Sequence, residues 1–122
     1  MKNISVLQNL AVLNMMEDIR AEITASLGAV VKEIVLYGSY ARNEQTPFSD
    51  IDIAVLIDEK NVSMAEIRDK LGDIKVDLSL KYDIVLSILV RPYQQFMAGR
   101  SYMPFYANID REGIVLHGPL FH

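Results

Sequence analysis

The sequence has no cysteine, no long apolar run and no cluster of basic residues. Without cysteine, disulfide bonds and thiolate metal sites are excluded, which fits a reducing cytoplasm. No apolar stretch approaches the roughly 18 residues that a membrane helix needs. The net charge is −4, with 12 Lys and Arg residues against 16 Asp and Glu, so a surface that neutralises nucleic-acid phosphates is not expected. We therefore expect a cytoplasmic protein that binds neither membranes nor nucleic acid.

The chain does have enough apolar material for a hydrophobic core. Of its 122 residues, 51% are hydrophobic and 23% are charged, proportions that are too apolar for a disordered chain. No repeat, low-complexity segment or long linker divides the sequence, so residues 1–122 are expected to form one domain. Polar residues interrupt the apolar residues near the start of the chain, which favours a helix over a signal peptide.

Three regions carry helix signals. Apolar residues recur every fourth position over residues 7–27, which predicts a first helix. Ser63 and Glu66 match a capping box, in which the two side chains bond reciprocally to backbone N–H groups at a helix start. This predicts a second helix from there to about Lys81. The segment 93–113 is expected to form one or two short helices.

Four apolar runs rich in β-branched residues predict strands, at residues 30–37, 50–57, 84–90 and 114–118. The helix between the second and third of these runs permits a parallel crossover. The short connection between the first and second runs also permits antiparallel pairing. The expected fold class is α+β, close to α/β, with a mixed sheet and helices packed mainly on one of its faces.

Two aspartates open the second predicted strand. Asp50 and Asp52 are separated by one residue, so their carboxylates point to the same side, roughly 6 to 7 Å apart along the strand. Unpaired carboxylates this close repel each other, and one tends to stay protonated. Mg²⁺ would remove that conflict, because it prefers one or two carboxylates together with water and phosphate oxygens. On this pattern alone, the alternative is a solvated strand end at which both aspartates cap a turn.

Gly38 and Ser39 end the preceding strand. Glycine allows a phosphate to approach the backbone closely, and the free N–H groups at the start of a helical turn attract anions. The Ser39 hydroxyl adds a donor. An ordinary turn is the alternative for this pair taken alone. If the two strands pair, however, an anion-binding turn lies beside the two aspartates, which is the arrangement that a phosphate chain and its metal need.

Gly38-Ser39, ten further residues and Asp50-Ile51-Asp52 together resemble the Gly-Ser-x10-Asp-x-Asp motif of the nucleotidyltransferase superfamily, which has the DNA polymerase β-like fold. The flanking residues, within 34–57, are similar to those of the MNT-type minimal nucleotidyltransferases. The resemblance implies a nucleotidyltransferase fold and an Mg²⁺-dependent enzyme. Such an enzyme moves a nucleoside monophosphate, here most simply AMP from ATP, to a hydroxyl of a protein or small molecule and releases pyrophosphate.

The resemblance also implies roles for individual residues. Gly38 and Ser39 would hold the β- and γ-phosphates of the nucleoside triphosphate. Asp50 and Asp52 would be catalytic residues that hold Mg²⁺. Arg42, one helical turn after Ser39, would contact a phosphate, and its alternative is a surface salt bridge to a neighbouring acidic residue.

The third carboxylate of the family's site is where the sequence departs from the pattern. The family carries it on a later central strand, as a metal ligand and base. The predicted third strand, residues 84–90, has no acidic residue and carries Ser87 at its middle. Asp83, just before this strand, is the nearest candidate, and we assign it as the third catalytic carboxylate and metal ligand.

Larger enzymes of the superfamily add a domain that holds the acceptor, and this sequence leaves no room for one. Acceptor recognition is therefore expected from a second copy of the chain or from a separate protein. MNT-type proteins are commonly paired with a small helical HEPN-type protein, as antitoxin with toxin. The apolar positions from Val6 to Met16 would serve such a contact or pack in the core. The same two alternatives hold for five aromatic residues: Tyr93, Phe96, Tyr102, Phe105 and Tyr106.

Two other functions are compatible with parts of the pattern. A nucleotidyltransferase-fold module could neutralise a partner protein by binding it, with weak or no catalysis. Asp-x-Asp also occurs in glycosyltransferases that use nucleotide sugars, but these generally need a much larger nucleotide-binding domain and do not require the Gly-Ser turn. Nucleotidyl transfer is therefore the leading hypothesis.

Overall fold

A computed structural model describes residues 1–119 and contains one five-stranded sheet in the order β1-β5-β2-β3-β4. The strands are β1 (Lys2–Asn3), β2 (Val31–Tyr37), β3 (Ile51–Ile57), β4 (Leu86–Pro92) and β5 (Ile114–His117). β2 runs antiparallel to both β3 and β5, whereas β3 and β4 are parallel, as are β1 and β5. The predicted mixed sheet is confirmed, with β2 and β3 paired directly.

Two long and two short helices cover the sheet on opposite faces. The helices are α1 (Leu10–Leu27), α2 (Met64–Tyr82), α3 (Tyr93–Gly99) and α4 (Pro104–Glu112). The long helices α1 and α2 bury their apolar sides on one face and build the larger core. The short helices α3 and α4 contribute to a smaller apolar cluster on the other face. The expected α+β class, with the helical mass mainly on one face, is confirmed.

The alternation of β3 decides which face carries the aspartates. Ile51 and Ile53 belong to the larger core under α1 and α2, whereas Ala54 and Leu56 belong to the cluster under α3 and α4. Because successive side chains of a strand point to opposite faces, Asp52 lies on the same face as Ala54. The candidate site is therefore on the face with the short helices, away from the main core.

The starts of both long helices follow from capping side chains. The Ser63 hydroxyl accepts a hydrogen bond from the Glu66 N–H at 3.3 Å, so the predicted start of α2 is confirmed. α1 begins at Leu10, because the Asn9 side chain accepts a hydrogen bond from the Val12 N–H at 3.1 Å. The prediction of a helix already at residue 7 is therefore wrong, and a short 3₁₀ turn at Ile4–Val6 precedes Leu7 instead.

β4 begins later in the chain than the sequence predicts, because Asp83 and Ile84 belong to the end of α2. Asp83 adopts the left-handed conformation, with φ 51° and ψ 52°, and its N–H donates to the Ser79 carbonyl. The Ile84 N–H donates to the same carbonyl at 3.1 Å. Ile84 is thus part of the helix end, and the strand predicted from residue 84 begins at Leu86. Within residues 1–119, no helix has the length and the apolar character that crossing a membrane requires.

Candidate active site

Gly38 lies directly against the carboxylate of Asp52. Tyr37, the last residue of β2, is the register partner of Asp52 on β3, so the chain turns out of the sheet beside this aspartate. Gly38 has φ +76°, and a Cβ added there would overlap Oδ2 of Asp52 and lie 3.2 Å from its Cγ. Glycine is needed both for the positive φ and for the space. The predicted neighbourhood of the glycine turn and the second aspartate is therefore present.

The segment after Gly38 makes a tight turn that brings Arg42 back to the strand end. The Arg42 N–H donates to the Gly38 carbonyl at 3.2 Å, and the Glu44 N–H donates to the Ser39 carbonyl at 2.9 Å. The first bond has the four-residue spacing of an α-helix, whereas the second spans five residues. Residues 38–44 therefore form a single turn that does not continue as a regular helix. Ser39 is half-buried within it.

The charges around Asp52 favour a bound cation. Asp52 is half-buried and Asp50 is exposed. Burial raises the pKa of the Asp52 carboxyl above its usual value, the negative charge of Asp50 raises it further, and the Arg42 guanidinium partly offsets both effects. A divalent cation would relieve the repulsion and replace lost solvation. Two neighbouring carboxylates, one exposed and one half-buried, fit Mg²⁺, which retains several waters when bound.

Arg42 is held by two carboxylates of the protein. Its Nε donates to Oε2 of Glu44 at 3.3 Å, as the salt-bridge alternative predicts. Its Nη1 donates to both carboxylate oxygens of Glu112, at 3.1 and 3.2 Å. Oε1 of Glu112 also accepts a hydrogen bond from the Gly38 N–H at 3.4 Å. Glu112, the last residue of α4, is a site residue that the sequence reasoning missed, because 70 residues separate it from Arg42.

The structure does not bring Asp83 into this group. Asp83 is exposed at the end of α2, three residues before β4 begins. The β4 residue in register with Asp52 is Ser87, which shares its face because Leu89 packs in the α3 and α4 cluster. Among residues 1–119, no three acidic or histidine side chains form a group that could hold a metal ion. The role of Asp83 as a third ligand therefore stays a prediction.

Aromatic side chains from β2 and α4 border the site. The rings of Tyr37 and Phe105 meet edge to face, with centroids 6.0 Å apart. Burial raises the pKa of the Tyr37 hydroxyl, and the nearby Asp52 carboxylate raises it further. Of the five aromatic residues singled out in the sequence, Phe96 and Tyr106 are buried in the core and Tyr93 is partly buried against it, whereas Tyr102 and Phe105 are exposed. A contact of the exposed pair with a partner protein stays a prediction.

The sequence model of the nucleotidyltransferase domain matches residues 17–103, which span β2, β3, α2, β4 and the Gly38–Asp52 segment. The chain belongs to the nucleotidyltransferase domain family. The resemblance carried by Gly38, Ser39, Asp50 and Asp52 is thereby confirmed.

Two relatives from Methanocaldococcus jannaschii share this region. The protein named "Putative protein adenylyltransferase MJ1379" is 48% identical over 61 residues, which are 44% of this chain and 61% of the relative. The protein named "Putative protein adenylyltransferase MJ0604" is 34% identical over 87 residues, which are 71% of this chain and 79% of the relative. The match to the first relative thus spans less than two thirds of its length.

Solved structures have the same fold at low sequence identity. One, described as a toxin-antitoxin with AMP-PNP, has a TM-score of 0.57 at 21% identity and covers 85% of this chain and 74% of its own. Another, described as a tri-AMPylated Shewanella oneidensis HEPN toxin in complex with MNT antitoxin, has a TM-score of 0.52 at 17% identity, with coverages of 87% and 72%. At these identities, the likeness shows the fold.

Proposed function

We propose that the protein transfers AMP from ATP to a hydroxyl of a partner protein, as the antitoxin of a HEPN-type toxin. The close approach of Gly38 to the Asp52 carboxylate carries this proposal, because it joins a phosphate-binding turn to a pair of carboxylates. The names of the two relatives support adenylyl transfer. The two solved structures with the same fold, one with AMP-PNP and one with an AMPylated HEPN toxin, support ATP as the nucleotide and a HEPN-type protein as the acceptor.

Each residue has a role in the proposed transfer. The Gly38 N–H, the Ser39 hydroxyl and the Arg42 guanidinium would bind the β- and γ-phosphates. Asp50 and Asp52 would hold Mg²⁺, which when bound would offset the negative charge of the phosphates. The acceptor oxygen forms a bond to the α-phosphorus, the bond from that phosphorus to pyrophosphate breaks, and the acceptor proton passes to a base. Asp83 is the proposed base.

A second function is favoured by a specific observation. Asp83 is exposed and lies outside β4, and the β4 residue in register with Asp52 is a serine. A site with two carboxylates would bind the metal and nucleotide but would have no third carboxylate near the attacking oxygen. The alternative is therefore a nucleotidyltransferase-fold module that neutralises its partner by binding, with weak or no catalysis.

Intact-mass spectrometry separates the two functions. The protein is incubated with ATP, Mg²⁺ and the product of its neighbouring gene, tested as the HEPN-type partner that the proposal requires, and the masses of both chains are followed over time. Transfer predicts one or more AMP groups added to the partner. AMP added to a second copy of this chain would instead identify a homo-oligomeric reaction. A partner that forms a complex but keeps its mass would support neutralisation by binding.

The control is the double variant Asp50→Asn and Asp52→Asn. It should fold normally, because removing two like charges relieves their repulsion. It should also lose both Mg²⁺-dependent ATP binding and AMP transfer. If calorimetry measured the same Mg-ATP affinity in the double variant as in the wild type, the metal-binding role of these aspartates would be wrong.

A further inference from the structure

Glu112 occupies a helix position at which a carboxylate is electrostatically unfavourable. It is the last residue of α4, where the unpaired carbonyl groups make the helix end negative and favour a basic residue. The next residue, Gly113, fixes this helix end against the sheet. A Cβ on Gly113 would lie 2.6 Å from Cγ1 of Val35 on β2, so the backbone at this helix end packs directly against the sheet.

The contacts of Glu112 explain why a carboxylate is tolerated there. Its two oxygens accept hydrogen bonds from Nη1 of Arg42 at 3.1 and 3.2 Å, and one of them also accepts a hydrogen bond from the Gly38 N–H at 3.4 Å. The Glu112 side chain is 19% exposed, against 65% for Glu44, the other carboxylate on Arg42. Glu112 is therefore the more enclosed partner of Arg42 and the one that also reaches the glycine turn.

The two donors that Glu112 engages are two of the three groups that would bind phosphate oxygens, the third being the Ser39 hydroxyl. A carboxylate and a phosphate present similar pairs of oxygens to an arginine, and both are bound by charge-assisted hydrogen bonds. The same N–H hydrogen of Gly38 cannot point at both ligands. A triphosphate chain that takes the Gly38 N–H and the Nη1 hydrogens of Arg42 must therefore move the Glu112 carboxylate aside.

We infer that the Glu112 carboxylate competes with the nucleotide's β- and γ-phosphates for the Gly38 N–H and the Arg42 guanidinium. This competition sets the affinity of the site for triphosphates. This inference rests on the proposed function, because it takes Gly38 and Arg42 as phosphate-binding groups. The cost of displacing Glu112 falls on ligands that carry β- and γ-phosphates. AMP and adenosine carry neither phosphate and leave the Glu112 contacts in place.

Calorimetry with Mg-ATP, AMP and adenosine tests this inference on two charge-matched variants. Glu112→Gln removes the competing carboxylate, and Glu44→Gln removes the other carboxylate on Arg42 without touching the Gly38 N–H. Glu112→Gln should tighten Mg-ATP binding roughly three- to tenfold beyond Glu44→Gln, since the Arg42 contact is partly exposed to solvent. AMP and adenosine should show no such difference between the two variants.

An affinity for Mg-ATP in Glu112→Gln that is equal to or weaker than that of Glu44→Gln would overturn the inference and make Glu112 a brace for Arg42. Wild-type binding of Mg-ATP in the same experiment would leave the proposed function standing. If no variant bound Mg-ATP or inorganic tripolyphosphate, the proposed function would fail together with the inference. Should Glu112→Gln fail to fold, Glu112→Asp withdraws the carboxylate by one methylene and should still tighten Mg-ATP binding. No gain there would also overturn the inference.

Discussion

At the scale of single residues, the sequence predicted that the glycine turn lies beside the second aspartate, because local spacing carries this information. Gly38, Ser39, Asp50 and Asp52 lie within 15 residues of one another, and a two-strand pairing is enough to bring them together. Glu112 could not be predicted in this way, because its contact with Arg42 depends on how α4 packs against β2. The one hint in the sequence is an acidic residue at a helix end that favours basic ones.

Replacing Gly38 by alanine tests the close approach at the centre of the site. The new Cβ would overlap the Asp52 carboxylate in a backbone conformation with positive φ, so we expect a loss of about 1 to 3 kcal/mol in the free energy of unfolding. Mg-ATP affinity should fall as well, because Asp52 has to shift. Urea denaturation and calorimetry measure the two effects.

Gly72 provides the matched control for this substitution. It lies inside α2, and a Cβ added there would meet no atom within 4 Å. Gly72→Ala should therefore stabilise the protein by roughly 0.5 to 1 kcal/mol, because alanine loses less conformational entropy in a helix. It should leave nucleotide binding unchanged. A Gly38→Ala variant as stable as the wild type would show that Asp52 does not need this close approach.

At the scale of helices and strands, the prediction succeeded where a local signal defines the element. The capping box at Ser63 defines the start of α2, and the alternation of β3 defines its two faces. β1 was missed because a strand of two residues, Lys2–Asn3, has no periodicity and is defined only by its pairing with β5. The start of β4 was placed two residues early because Ile84 has a strand-forming side chain but bonds to the end of α2.

Asp83→Asn tests whether the junction of α2 and β4 supplies the third carboxylate. Asparagine adopts the left-handed conformation as readily as aspartate, so the helix end should be kept. If Asp83 acts on the attacking hydroxyl, turnover should fall by orders of magnitude while Mg-ATP affinity changes little. Steady-state rates of AMP transfer, together with calorimetry, measure this.

Ser87→Asp is the companion variant, because Ser87 is in register with Asp52 on the same face of the sheet. A third carboxylate at this position should raise Mg²⁺ affinity. Full turnover in Asp83→Asn would exclude Asp83 as the base. A gain of Mg²⁺ affinity in Ser87→Asp would then show that the site has room for a third carboxylate on β4 and that the natural chain has a serine there.

At the scale of the whole molecule, the two faces of the sheet differ in how polar their interiors are. The face under α1 and α2 is apolar throughout its buried residues. The face under α3 and α4 contains Glu33, whose side chain is fully buried on β2. Burial raises the pKa of Glu33 to about 7, the charge of Asp110 adds to this, and Arg100 and the amino terminus oppose it. A binary pattern of apolar and polar residues cannot predict such a residue, because Glu33 occupies an inward position of a strand.

Glu33 should make the stability of the whole fold depend on pH. Its usual pKa is 4.5, so between about pH 4.5 and 7 the folded protein binds more protons than the unfolded chain does. The stability that this difference supplies is complete below the unfolded pKa and is lost as the pH rises through the folded pKa. From pH 5 to pH 8 the free energy of unfolding should therefore fall by on the order of 2 to 3 kcal/mol through this one group.

Urea denaturation across this range should show the slope in the wild type and in Glu59→Gln, a change at an exposed glutamate. Glu33→Gln should lack this slope. At pH 8 it should be more stable than the wild type, because the amide carries no charge to bury. An equal slope in both variants would mean that the buried carboxyl does not titrate in this range and that its charge is accommodated by Arg100 and the amino terminus.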